Sequence, residues 1–458
     1  MELREKLFLK EKKLSDINVD TREKINEYAK GYMKFLDAAK TEREFVEKAI
    51  PLAIENGFEE FSYQKNYKSG EKFYLNNRGK SLILGVIGKE PLNSGVHIAA
   101  SHIDSPRVDL KPHPLYEKDE MAFFKTHYYG GIKKYQWTCI PLALHGIIIL
   151  ENGEKITVTI GEEDTDPVFV ITDLLPHLAK KQMDKKLNDA IEGENLNILI
   201  GNLPFKDDKE SESVKLNILN ILYEKYGIIE KDFFRAELLL VPAFKARDIG
   251  FDRSLIGAYG HDDRVCSYPI LSSILEINDP KTTVITILAD KEEVGSMGNT
   301  GMQSDVFVNM LRTLCENASV SFGQCTANSK CLSADVNAAY DPTYPEVMDN
   351  LNCAFVAKGT VLTKYTGGRG KGDTSDASAE TMAYFIDLFD KNEIWWQSGE
   401  LGKVDEGGGG TVAQYIANLN IDVVDLGVAV LSMHSPFEVV AKSDLYMTYR
   451  AVSEFFKA

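Results

Sequence analysis

Residues 281–290, KTTVITILAD, run apolar without polar alternation and stop on an aspartate. A strand of that texture needs both faces covered, which is the condition of a parallel sheet packed between helices. SLILGVIG, GVHIAAS, RAELLLVPAF, CLSADV and DVVDLGVAVLSM have the same character. Helical spacing follows or separates them in RVCSYPILSSILEI, SDVFVNMLRTLCENA, DASAETMAYFIDLFDKN and the closing SDLYMTYRAVSEFFKA. The alternation predicts an α/β fold with a mostly parallel sheet and helices on both faces. Two further helices are expected near the start, in DINVDTREKINEYAKGYMKFLDAAK and TEREFVEKAIPLAIENG, the second opening on a Thr-x-x-Glu capping box.

Between about residues 110 and 240 the texture changes. CIPLALHGIIIL, KITVTIG and VFVIT are short and strand-like, with a helix expected at SVKLNILNILYEKYG. The chain therefore reads as one α/β domain built from residues 1–108 and 243–458, interrupted by a β-rich insertion at 109–242. A length of 458 residues accommodates that division.

A net charge of −17 argues against nucleic-acid and anionic-membrane partners. No stretch approaches the roughly 18 apolar residues of a membrane span, and MELREKLFLKEKK lacks a signal-peptide core. The six cysteines form no CxxC pair or framework. Free thiols and a cytoplasmic location are the expectation.

In open α/β sheets, ligands bind beyond the carboxyl ends of the strands. His102 and Asp104 follow GVHIAAS, Asp262 and Asp263 precede a helix in AYGHDDRV, and Asp290, Glu292 and Glu293 end TVITILAD. Asp335 closes CLSA, and His434 follows LGVAVLSM. Taken singly, each is a solvated strand end, a turn or a helix cap. Taken together, they gather negative charge that a cation would neutralise. Two histidines with three carboxylates suit zinc, cobalt or manganese better than calcium. Five ligands exceed one open site but fit two ions sharing one carboxylate.

HIDSP, DDRV, DKEEVGS, SADVNAAYDP and LSMHSPFE, in this order, resemble the aspartyl aminopeptidase / aminopeptidase I family of dinuclear zinc metallopeptidases, in its bacterial form. HYYGGIKKYQW and LLPHLAKK resemble that family's inserted dimerisation domain, and DEGGGGTVA its late glycine-rich loop. The resemblance implies a zinc-exopeptidase-like fold and a metalloaminopeptidase removing N-terminal residues, Asp or Glu among them, from peptides. It implies two divalent ions per subunit, zinc first. Asp262 bridges them, His102 and Asp335 complete one site, and Glu293 and His434 complete the other. Glu292 is then the general base, and Asp104 stands behind His102 to orient its ring. Substrate-side roles fall to Lys364 (or Lys358) and Gly409. The implied assembly is a tetrahedral homododecamer.

Two positions depart from the family pattern. Asp263 stands where Asn is common, adding charge. Lys181 occupies the place of a histidine that reaches a neighbouring subunit, with His177 four residues earlier. Two other enzyme readings, a deacylase or a carboxypeptidase, share the ligand order, and a catalytically silent shell-forming protein shares the fold. A phosphate-binding loop at GGRGKGDTSD is disfavoured. Tyr365 replaces the leading glycine, and Gly372 follows the lysine where Ser or Thr is needed.

Overall fold

The computed structural model describes residues 2–9, 12–208 and 210–458. Met1, Lys10 and Glu11, part of the N-terminal run read above, and Lys209 lie outside them.

A nine-stranded sheet carries the fold. Its centre is the Val96–His102 strand, which pairs in parallel with Thr283–Ala289 on one side and Lys330–Ala334 on the other. Asp422–Gly427 extends the parallel block, while antiparallel strands lie towards both edges. Side chains alternate between faces along a strand, so each apolar run feeds two cores. Leu82, Leu84, Val284, Leu288 and Leu332 pack with Phe45, Val265, Phe385 and Phe455 from the helices on one face. Ile83, Ile98, Ile285 and Ile287 pack with Phe307, Met310 and Leu314 on the other. This two-sided burial is why the central strands show no polar alternation. The expected helices form at Val19–Ala38, Glu42–Glu55, His261–Leu275, Val306–Asn317, Ala379–Lys391 and Lys442–Lys457. The capping box closes, with Glu44 N donating to Thr41 Oγ1 at 3.2 Å and Thr41 N to Glu44 Oε2 at 3.1 Å.

A seven-stranded antiparallel sheet, with its own apolar core around Trp137, Leu144 and Leu240, is built from residues 107–242. RAELLLVPAF supplies its Ala236–Pro242 strand. A five-stranded sheet was not anticipated. It arises because the run DVVDLGVAVLSM is two strands, Asp422–Gly427 in the large sheet and Ala429–Leu431 in the small one. Apolar periodicity cannot register a change of sheet.

Candidate metal centre

Three central strands of the large sheet end side by side, and each then releases polar residues. His102 closes Val96–His102, the turn after Thr283–Ala289 presents Glu292 and Glu293, and Asp335 follows Lys330–Ala334. The other two candidates come from the five-stranded sheet, not from the same sheet edge. Asp262 lies in the first turn of the His261–Leu275 helix, after Leu255–Ala258, and His434 follows Ala429–Leu431.

All five meet. His102 Nε2 lies 3.2 Å from Asp262 Oδ1 and 3.7 Å from Asp335 Oδ1. His434 Nε2 lies 3.0 Å from Asp262 Oδ2 and 3.6 Å from Glu293 Oε2. The two oxygens of Asp262 thus face different histidines. Ligand atoms of His102, Asp262 and Glu293 lie mutually within 4.8 Å, as do those of His102, Asp263 and Asp335. The first group crosses between the two ligand sets expected from the sequence. The second brings in Asp263, read there only as added charge. Glu292 Oε2 stands 3.9 Å from His102 Nε2, with its side chain 19% exposed.

The surroundings orient these groups. His102 Nδ1 donates to the Asp104 carbonyl at 3.0 Å, with Asp104 Oδ1 at 3.3 Å, leaving Nε2 for the cluster. Asp104 also accepts the backbone N–H groups of Glu292 and Glu293 at 3.1 and 3.3 Å. Glu438, at the end of LSMHSPFE, accepts from the backbone of Asp262 at 3.1 Å and of His434 at 2.7 Å. The buried Arg264 guanidinium donates to Ser105 Oγ and to the Gly260 and Lys40 carbonyls, stapling two strand-end loops. Gly260 is obligatory there: its φ is +75°, and a Cβ would sit 1.9 Å from Arg264 Nη1.

The donor set fits divalent cations. Burial first, then repulsion from Asp335, pushes the Glu292 carboxyl up to about 8. Burial and neighbouring carboxylates likewise raise Glu293, Asp263 and Asp335. Burial alone would lower His434, but its Asp262 hydrogen bond and the Glu293 charge outweigh that and carry it to about 10. Carboxylates that raise one another so strongly hold charge that a bound cation relieves. Asp262 Oδ1, Glu293 Oε1 and both oxygens of Asp263 are buried without a hydrogen-bond partner, which is costly unless something cationic is shared among them.

Lys364 and Gly409 are not tied to this cluster by any hydrogen bond or ion pair among the described residues. Lys364 pairs with Asp376, which also meets Lys371 at 2.8 Å. A Cβ added at Gly409 would meet Leu401 Cδ2 at 3.4 Å and none of the cluster. Lys358 donates to the Lys12 carbonyl at 3.3 Å. His177 and Lys181 are exposed on the antiparallel unit.

Histidines and carboxylates gathered beyond the strand ends of an α/β sheet are the ligand types that metal-dependent hydrolases use. The family model of the aminopeptidase I zinc metalloproteases (M18) matches residues 35–456. A probable M18 family aminopeptidase 1 from Clostridium acetobutylicum is 50% identical over 432 residues, covering 93% of each chain. The crystal structure of an M18-family aminopeptidase from Thermotoga maritima superposes with a TM-score of 0.93 at 41% identity, over 98% of this chain and 100% of that one. The mApe1 dodecamer of S. cerevisiae shares the fold at a TM-score of 0.76 and 22% identity, over 94% and 96%. The chain belongs to the M18 aminopeptidase family of zinc metalloproteases.

Proposed function

We propose that this aminopeptidase works with two divalent ions, zinc first and cobalt or manganese as substitutes. His102 and Asp335 hold one, Glu293 and His434 the other, and Asp262 is shared. One observation carries the reading: the two Asp262 oxygens stand 3.2 and 3.0 Å from the Nε2 atoms of His102 and His434. Bound there, the ions would polarise the scissile carbonyl and acidify water. Glu292 takes a proton from the attacking water and returns it to the leaving amine. Glu292→Gln should keep its metal and lose at least about 100-fold in kcat. Near-normal turnover would remove Glu292 from that role.

The reading extends to N-terminal Asp or Glu as favoured residues. Lys364, which pairs with Asp376, is the lysine proposed to meet that acidic side chain. Asp, Glu, Lys, Leu and Ala aminoacyl substrates, each also blocked at the N-terminus, test both claims. Cleavage of the blocked forms would favour a deacylase.

Residues 109–242 are proposed as the dimerisation unit of a homododecamer, inserted into a catalytic domain of 1–108 and 243–458. Leu174, Leu178, Met183 and Leu187 are more than half exposed on that unit, as an interface between copies requires. Light scattering decides it: a monomer refutes the assembly. Six free thiols suit a cytoplasmic location.

A further inference from the structure

The antiparallel unit sends one short segment, Tyr129–Gly130–Gly131, into the metal centre, where it touches both histidine-centred ligand groups. The Tyr129 hydroxyl donates to Asp104 Oδ2 at 2.8 Å, and the other oxygen of that carboxylate lies 3.3 Å from Nδ1 of His102, whose N–H the Asp104 carbonyl accepts at 3.0 Å. The Tyr129 ring is itself clamped. The Arg107 guanidinium lies 4.1 Å from its centroid and is fixed by Glu42 and Asp109, each at 2.8 Å. Two residues on, the Gly131 carbonyl accepts Nδ1–H of His434 at 2.7 Å. A carbonyl only accepts, so that bond fixes the tautomer and leaves Nε2 for the cluster.

Glycine permits this approach. Gly130 has φ +76°, and a Cβ there would lie 3.2 Å from Glu293 Oε2; one on Gly131 would lie 3.4 Å from His434 Nδ1. The segment therefore presents bare backbone to one ligand set and a phenol to the carboxylate behind the other.

We propose that Tyr129 and Gly131 are positioning residues of the metal centre, through which the antiparallel unit holds His102 and His434 in register. The proposal rests on the ligand assignment above. Outer partners of metal ligands typically contribute 10–100-fold to affinity. Tyr129→Phe keeps the ring on Arg107 and removes only the donor to Asp104. Gly131→Ala keeps the carbonyl and crowds His434.

The test is zinc affinity by competition with a chromogenic chelator, beside the melting temperature of the metal-free protein, for wild type, His102→Ala, Tyr129→Phe and Gly131→Ala. Tyr129→Phe and Gly131→Ala should each weaken zinc by about 10-fold or more, with an unchanged metal-free melting temperature and a kcat loss exceeding any rise in KM. Wild-type zinc affinity in Tyr129→Phe overturns the proposal, as does an affinity loss matched by a lower metal-free melting temperature. If His102→Ala binds zinc as tightly as wild type, the ligand assignment fails and takes the proposal with it. If only Tyr129→Phe is silent, the assignment stands and the positioning role alone falls.

Discussion

His145→Gln should destabilise the protein and flatten its stability in mildly alkaline solution. The imidazole is 2% exposed and spans two carboxylates, with Nδ1 2.7 Å from Glu44 Oε1 and Nε2 3.0 Å from Glu162 Oε1. Glu44 belongs to the Glu42–Glu55 helix and Glu162 to the antiparallel unit, so the ring joins the two. Lys40 meets the same Glu162 oxygen at 2.6 Å, and Lys245 meets the other at 2.9 Å. Burial alone would lower the His145 pKa, but the two carboxylates outweigh it and raise it. Burial would raise both acids, yet hydrogen bonds to His145 and, for Glu162, the Lys40 charge bring Glu44 below its ordinary range and Glu162 to about 2.

The sign follows. A raised imidazole pKa gives stability that is complete below the unfolded value of about 6.5 and is lost as pH climbs through the folded value. The lowered acids give stability that is complete above about 4.5 and is lost as pH falls towards 2. Removing the imidazolium exposes Glu44 and Glu162 to each other at roughly 7 Å, a repulsion of about 2 kcal/mol at an effective dielectric of 20. With the lost charged hydrogen bonds, the total is about 3–5 kcal/mol, the range for breaking a buried pair. Urea denaturation of wild type and His145→Gln from pH 5 to 9 measures it. The gap should be largest near pH 6 and narrow as pH rises. A constant gap, or one below about 1 kcal/mol at pH 6, would refute the reasoning.

Thr41→Ala removes the hydroxyl that accepts Glu44 N and should cost about 1 kcal/mol in the same assay. His97 stacks on Phe455 and bonds its carbonyl at 3.0 Å, and burial lowers its pKa to about 4. It therefore folds neutral. The stability it contributes is complete above about pH 6.5 and drains as pH falls towards 4. His97→Asn should flatten that limb of the acid-unfolding curve, and an unchanged limb would remove His97 as its cause.

The strand ends were legible because two-sided burial leaves an unmistakable apolar run, and a charged residue closing such a run needs a reason. His102, Glu292, Glu293 and Asp335 follow from that logic. Asp262 and His434 reach the same cluster from a second sheet that periodicity could not reveal. Glu438 lay in a motif already singled out, but its role is to accept backbone N–H groups, which no side-chain pattern announces. Tyr129 was hidden for another reason: its hydroxyl meets Asp104 across 25 positions, between two different sheets. Lys364 was chosen by resemblance, and its partner Asp376 is set by the folding of a loop.

Metal content is the most direct test of the two-ion centre with a shared Asp262. Zinc measured per chain after equilibration and desalting should give two ions in the wild type, one in His102→Ala and one in His434→Ala, with Asp262→Ala weakening both. A wild type holding one ion, or both histidine variants retaining two, would contradict the account.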